Sequence, residues 1–301
     1  MSLIALMTFT LAHLSDPHLA PLPQPQWLDL LNKRITGYVN WRRKRRFVHD
    51  PDVLARIVAD MKAQAPDHIA VTGDIANIAL PEEFVRGRAF MQQLGSGAEV
   101  SFVPGNHDMY VKDAVRLMPA AFGSFMTSDM PGVPLPYVRR RAPLAIVGVS
   151  SGVPTAPFLA TGWVGAEQLI TLRARLEALR EEGLFRVVLI HHPPITQAAN
   201  HKRLLDAPVF LRVIAEAGAE LVIHGHDHIH AYVQLKGPDG PVPAIGVPSA
   251  SAAPGGHWTP AAYNLYRIGG EPGAWTCEAI SRGLGDNGEI VELGTMDLTQ
   301  R

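Results

Sequence analysis

Five short clusters of Asp, Asn and His lie along the first 230 residues: Asp16-Pro17-His18, Gly73-Asp74, Gly105-Asn106-His107-Asp108, His191-His192 and Gly225-His226-Asp227-His228. Imidazole, carboxylate and one amide make a mixed nitrogen and oxygen donor set. Such a set suits hard or borderline divalent metals such as Mn, Fe, Co or Zn, whereas Ca or Mg alone would favour oxygen ligands. The donors exceed the needs of one ion and suit two ions that share a carboxylate. Two metals about 3.5–4 Å apart serve in-line displacement at phosphorus, clamping phosphoryl oxygens and acidifying a shared water toward a pKa of about 7. Taken singly, each cluster has a plain structural explanation as a cap, a turn or a solvated loop. Their joint occurrence is what points to chemistry. The 13 histidines of the chain add to it, because imidazole is the commonest metal ligand and the usual general acid or base.

Each cluster directly follows an apolar run, at 9–14, 68–72, 100–103, 186–190 and 221–223. These runs predict buried strands. The carboxyl ends of strands in an α/β sheet open onto the crevice where ligands bind, so five strand ends in one sheet would bring the clusters together. Helical spacing appears at 51–65, where Val53, Leu54, Ile57, Val58 and Met61 share a face behind the candidate cap Asp50. Further helices are predicted at 81–94, with proline in the first turn, and at 112–122, 165–182 and 209–217, the last ended by Gly218. Strands are predicted at 137–140, 144–149, 231–235, 242–247, 263–268 and 275–280. The polar residues from about 282 to 301 read as a tail or an edge element. No repeat or linker divides the chain, so all 301 residues read as one α/β domain with two packed sheets and outer helices.

Composition narrows the classes. Hydrophobic residues at 47% and charged residues at 18% exclude disorder over most of the chain. The single cysteine, Cys277, excludes an internal disulfide and a thiolate zinc cluster. The N-terminal apolar stretch, 3–14, lacks a basic leader and a small-residue cleavage site. It reads as a first strand rather than a signal peptide, and a soluble cytoplasmic protein in a reducing compartment is expected. A net charge of -1 gives no global bias toward nucleic acid or membrane. Locally, however, seven cations (Lys33, Arg34, Arg42, Arg43, Lys44, Arg45 and Arg46) fall between Leu30 and Val48 with no acid among them. The remainder of the chain then carries 20 basic against 28 acidic residues.

The set D-x-H, G-D, G-N-H-[DE], H-H and G-H-x-H, intact here from about Leu11 to about His230, resembles that of the calcineurin-like metallophosphoesterases. The resemblance implies a four-layer αββα sandwich of two mixed sheets flanked by helices, with a dinuclear centre at the strand ends. It also implies roles. Asp16, His18 and His228 would hold one metal, Asn106, His191 and His226 the other, and Asp74 would bridge them. His191 is preferred to His192 because it directly follows the strand. His107 would face the phosphate, stabilising charge or protonating the leaving oxygen. Asp108 would hold the loop or orient that imidazole, and Asn77 would face substrate or sit just behind the ligands. The stretch Gly73-Asp74-Ile75-Ala76-Asn77, followed by Pro81-Glu82-Glu83-Phe84, is most similar to the bacterial class III cyclic-nucleotide and glycerophosphodiester phosphodiesterases. A small phosphoester is therefore the expected substrate. One alternative is a pyrophosphatase acting on a lipid-linked or nucleotide-sugar diphosphate such as UDP-diacylglucosamine; a metal-free binding scaffold is the non-enzymatic one.

Residues 21–48 exceed what compact members of that family need here. Trp27, Leu31, Ile35, Tyr38 and Val39 recur at helical spacing, and a helix of about 18 residues would be roughly 27 Å long. Its apolar face could pack on the body with the cations solvated, or segment 27–46 could meet an anionic membrane surface from the cytoplasmic side. A nucleic-acid partner has no accompanying reader motif. His13, His49, His68 and His201 lack motif support and read as structural or surface residues, His224 as lying just behind the ligands, and His257 as lying near the rim.

Overall fold

The computed structural model describes residues 8–129 and 135–299. The residues before Thr8, which include much of the stretch weighed as a signal peptide, lie outside the described part, as do the last two residues of the predicted tail. The chain opens with β1 (Phe9–Leu14), α1 (Arg34–Arg43), α2 (Pro51–Ala63), β2 (His68–Val71), α3 (Pro81–Leu94), β3 (Val100–Phe102) and α4 (Ala114–Phe122). It continues through β4 (Tyr137–Arg141), β5 (Leu144–Gly148), α5 (Ala166–Glu181), β6 (Phe185–Leu189), α6 (Ala207–Ala217) and β7 (Leu221–His224). Five strands end it: β8 (Ala231–Lys236), β9 (Pro241–Gly246), β10 (Ala262–Glu271), β11 (Ala274–Leu284) and β12 (Ile290–Asp297).

Two six-stranded mixed sheets result, in the orders β12-β11-β10-β1-β2-β3 and β4-β5-β6-β7-β9-β8. In the first, β1, β2 and β3 run parallel and β10 joins β1 antiparallel. In the second, β5, β6, β7 and β9 run parallel between the antiparallel edge strands β4 and β8. Parallel strands covered on both faces need near-continuous apolar runs. Leu144–Gly148 and Phe185–Leu189 are such runs, buried throughout.

The layers follow from what each element buries. Between the sheets, Leu11, Tyr266 and Ile268 of the first meet Ile146, Val187 and Ile223 of the second. Helices α2, α3 and α4 cover the outer face of the first sheet through residues such as Ile57, Met91 and Phe122. Helices α5 and α6 cover the second through Leu172, Leu176 and Phe210. Each fully buried side chain of this kind contributes about 1.5–3 kcal/mol. Asp50 caps α2 as expected, accepting from the backbone N–H of Asp52 at 2.8 Å. The architecture is thus the four-layer αββα sandwich.

Three expectations change. The five clusters do not share one sheet: three follow β1, β2 and β3, and two follow β6 and β7 of the other sheet, so they straddle the sandwich at one end. The segment from about 282, read as a tail or an edge element, is no tail: it continues β11 to Leu284 and adds β12, whose mostly exposed polar residues suit its edge position. The insertion holds only the ten residues of α1, between short 3-10 turns at Trp27–Leu30 and Arg45–Phe47. Its burial is also inverted. Lys33, Arg34 and Trp41 are buried, while Trp27, Leu31, Ile35 and Val39 are exposed. The cause is hydrogen bonding. Arg34 donates to the carbonyls of Ile78 and Ala79 (3.1 and 2.7 Å), and Lys33 to Thr155 Oγ1 and the Leu159 carbonyl (2.6 and 2.9 Å). Buried acceptors such as the Ile78 and Ala79 carbonyls need partners, and Arg34 supplies them.

Candidate metal centre

Backbone hydrogen bonds draw the strand ends together. Asp16 N donates to the Gly73 carbonyl and His18 N to that of Asp74, each at 3.0 Å, while Gly225 N donates to the His191 carbonyl at 3.1 Å. Asp16 Oδ2 accepts from the backbone N–H of His226 at 3.0 Å, joining the first cluster to the last. The approach is close enough to demand glycine. A Cβ on Gly105 would collide with the Asp74 carboxylate, and one on Gly225 with Ser15 and Asp16. Among the described residues, five of the eight non-glycine residues with positive φ are Asp16, His18, Asp74, His226 and His228. Left-handed backbone at non-glycine residues costs free energy and persists where the surroundings impose it, often at functional sites.

The imidazoles are aimed by their outer nitrogens. His18 Nδ1–H donates to the Ala76 carbonyl (3.1 Å), His191 Nδ1–H to that of Thr72 (2.6 Å), and His226 Nε2–H to that of Lys202 (2.9 Å). Each ring thereby turns its other nitrogen inward as a lone pair, the arrangement that prepares an imidazole to bind a metal. His18 Nε2 lies 3.8 Å from Asp16 Oδ1 and 3.9 Å from Asp74 Oδ2. His228 Nε2 lies 3.1 Å from Asp16 Oδ1. His191 Nε2 lies 3.4 Å from Asp74 Oδ2, 3.3 Å from Asn106 Oδ1 and 3.2 Å from His226 Nδ1. Three overlapping groups can each hold an ion: Asp16, His18 and His228; Asp16, Asp74 and His191; His191, His192 and His226. His192 belongs to the last by position, but both its nitrogens face other protein atoms, Ser151 Oγ at 2.8 Å and the Ala160 carbonyl at 3.2 Å.

Electrostatics agree with cation binding. Burial would raise the Asp16 and Asp74 carboxyls, but His228 beside the first and His191 beside the second hold both below the usual range. Burial likewise lowers His18 and His226 well below their ordinary value. For His191 burial opposes the charge, yet Asp74 outweighs it and pushes the ring up to about 10. Carboxylate and neutral imidazole are the forms that ligate a metal; Asp16, Asp74, His18 and His226 are held in those forms, while His191 would give up its proton to an incoming ion. Donor types and directions fit divalent ions.

The remaining predicted residues fall around this centre. His107 donates its backbone N–H to Asp74 Oδ1 at 2.7 Å, and its ring stands edge-on to that of His18 at 5.0 Å. The ring gives Nδ1–H to the Asn77 carbonyl at 2.5 Å. Asp108 does not orient that ring. Its buried carboxylate accepts from the backbone N–H groups of Asp74, Ala76 and Gly105 (2.7, 2.9 and 2.9 Å), stapling two loops together. Burial, with Asp74 nearby, pushes Asp108 up to about 7. The Asn77 side chain is turned away from a substrate role. Nδ2 donates to the Leu19 carbonyl at 3.0 Å, and Oδ1 is buried with no hydrogen-bond partner.

Two residues escaped the sequence reading. Arg45, counted among the surface cations, reaches the centre. Its Nη1 lies 2.8 Å from His107 Nε2, and its Nη2 lies 3.5 Å from His49 Nε2. His49, read as structural or surface, is buried with its ring 4.5 Å from that of His18, and its Nδ1 lies 2.9 Å from Ser251 Oγ. Only their spacing, four residues apart after a helix, hinted at a shared direction. By contrast, His201 and His257 are exposed, His224 is buried beside Gly225, and His13 and His68 bond Thr72 and Ser101.

Comparison with known proteins agrees with this geometry. Residues 9–230 match the calcineurin-like phosphoesterase family model. A probable cyclic nucleotide phosphodiesterase of Synechococcus sp. is 27% identical over 236 residues, 77% of either chain. A dimetal phosphatase from Danio rerio has the same fold, with a TM-score of 0.66 at 15% identity over 97% of this chain and 99% of that one. A purple acid phosphatase from yellow lupin seeds follows at a TM-score of 0.57 and 10% identity, over 95% of this chain and 53% of its own. The chain belongs to the calcineurin-like phosphoesterase family. It is a metal-dependent phosphoester hydrolase, and the family's dinuclear divalent centre corresponds to the Asp and His cluster described above.

Among the described residues, no helix is long and apolar enough to cross a membrane.

Proposed function

We propose that the protein is a phosphodiesterase. Asp16, His18 and His228 hold one divalent ion, Asn106, His191 and His226 hold the second, and Asp74 is shared. The observation that carries this reading is the aiming of three imidazoles by backbone carbonyls, so that their free nitrogens converge on two carboxylates. When bound, two such ions supply Lewis-acid clamping of phosphoryl oxygens and a nucleophile at neutral pH.

The chain's own residues do the rest. Arg45 is permanently charged, and its hydrogen bonds to His107 and His49 are to imidazole nitrogens. Most of its donors therefore remain for an oxyanion, which a guanidinium binds with matched geometry. His107 is held between Arg45 and the Asn77 carbonyl, and its Nε2 comes free to meet substrate when Arg45 turns its donors to the phosphate. Burial and the neighbouring Arg45 push its ring down to about 3. An anionic substrate entering there favours the charged ring again, so His107 can give a proton to the leaving oxygen. Asp108 keeps the Asp74 and Asn106 loops in register for both tasks. Tyr110, stacked on His107 at 5.5 Å, also borders a cleft lined by Lys33, Lys112 and Thr155, where a leaving group can lie.

The name of the Synechococcus relative supports a diester as substrate, and the relatives found give the diphosphate alternative no support. The test is a side-by-side screen of metal-reconstituted protein on phosphate monoesters, cyclic and linear phosphodiesters, and nucleotide-sugar diphosphates. Highest kcat/KM on a diester is expected. A preference for the diphosphates would replace this reading with a pyrophosphatase.

A further inference from the structure

The segment 27–47 leaves large apolar side chains in solvent while its neighbouring cations fill interior positions. Trp27 is 72% exposed and Leu31 71% exposed, and Leu28, Ile35, Val39 and Phe47 are exposed as well. These six are nearly a third of the 19 large hydrophobics exposed among the described residues, on a small fraction of the chain. Exposed apolar residues gathered in one short segment mark a candidate interaction site. Beside it, Arg42, Arg43, Lys44 and Arg46 are exposed, and no acidic residue lies between Leu30 and Val48 to neutralise them. Two cations sit against aromatic rings of the same segment, Arg46 over Phe47 at 4.5 Å and Arg42 over Tyr38 at 6.0 Å. A neighbouring loop carries a further exposed aromatic, Phe158, and Lys33 ties that loop to the segment through Thr155 and Leu159.

We propose that this surface docks the protein on an anionic phospholipid bilayer. Apolar side chains interleaved with cations match such an interface in both respects: the first enter the headgroup boundary and the second meet lipid phosphates. A second copy of the chain fits less well. A two-fold contact sets the same patch against itself, which would bring the unneutralised cations of both copies together. Arg45 belongs to the same segment and touches His107, so docking holds the mouth of the metal centre at the lipid surface. The proposal concerns binding alone and stands whether or not the substrate is a diester.

The test is co-sedimentation of the full chain with vesicles of phosphatidylglycerol and phosphatidylcholine, or of phosphatidylcholine alone, at low and high salt. Two variants accompany it: Arg42→Gln/Arg43→Gln/Lys44→Gln/Arg46→Gln, and Trp27→Ser/Leu31→Ser. All these positions are exposed, so both variants should keep the wild-type circular dichroism. Wild type is expected to bind the anionic vesicles at least tenfold better than the neutral ones, with loss at high salt. Each variant should lose most of that binding. Equal binding to both vesicle types, no binding to either, or binding that both variants retain overturns the proposal. So does a wild-type dimer in light scattering that ignores vesicles and that Trp27→Ser/Leu31→Ser dissolves, because the occupant is then a second copy.

Discussion

Arg45 Nη1 lies 2.8 Å from His107 Nε2, which joins the basic insertion after β1 to the loop that carries Asn106. A half-buried guanidinium whose bonds end on imidazoles has donors left for a phosphoryl oxygen. A hydrogen bond to a charged group is worth about 1.5–3 kcal/mol, or roughly 10–100-fold in kcat/KM. Arg45→Gln should lose that much, and mainly through KM if Arg45 holds ground state and transition state alike. Arg45→Lys should recover only part, because an ammonium lacks the planar fork. Steady-state kinetics on a diester decide it; wild-type KM in Arg45→Gln would return Arg45 to the surface cations.

Asp74 lies between the two proposed ligand sets. Its Oδ2 lies 3.4 Å from His191 Nε2 and 3.9 Å from His18 Nε2, one from each proposed ligand set. Asp74→Asn keeps the shape and removes the charge. Metal analysis should show both occupancies reduced, and turnover should fall below detection. Full activity in this variant, or in chelator-treated wild type, is incompatible with the dinuclear reading.

His107 adjoins the proposed ligand Asn106 and has no place in the proposed ligand sets. His107→Ala should lower kcat by about 10²–10⁴, the usual range for a positioned acid or base, while metal content stays near that of wild type. The loss should shrink for substrates with good leaving groups, which need little protonation. If metal is lost as well, His107 supports the ligand loop rather than the reacting oxygen.

The candidate metal centre was legible because its signals are local. Each proposed ligand stands within a few residues of an apolar run, and parallel strands bring such positions to one end of the sandwich. What lay beyond the sequence depended on tertiary accommodation. The 3.6-residue spacing of Trp27, Leu31 and Ile35 describes a helix with an apolar face, but the body offers that helix the carbonyls of Ile78, Ala79 and Leu159. Donors were needed inside, so Lys33 and Arg34 turned in and the apolar residues turned out. Arg45 and His49 reach the centre only because the chain folds back after α1. Asp108 shows a different limit, since a carboxylate beside a histidine reads the same whether it orients the ring or accepts three backbone N–H groups. β12 was hidden by its polarity, which an edge strand tolerates.

His68 gives a prediction about pH and stability away from the metal centre. It is buried in β2, with Nε2 2.8 Å from Ser101 Oγ and Nδ1 buried without a partner. Burial first, and then the nearby Arg139, push the ring from its usual 6.5 down to about 3. Unfolded chain therefore takes up a proton at this residue as pH falls below 6.5, while folded chain resists until about 3. Protons then favour the unfolded state across that window. The contribution of neutral His68 is complete above pH 6.5 and lost progressively toward pH 3, with a slope of up to about 1.4 kcal/mol per pH unit. His68→Gln can keep a donor near Ser101 but cannot titrate. Urea unfolding at pH 7.5, 6, 5 and 4.5 should show the variant losing less stability than wild type as pH falls, by about 2–3 kcal/mol over that range. Parallel pH profiles for the two proteins would mean that His68 takes up its proton as readily when folded as when unfolded.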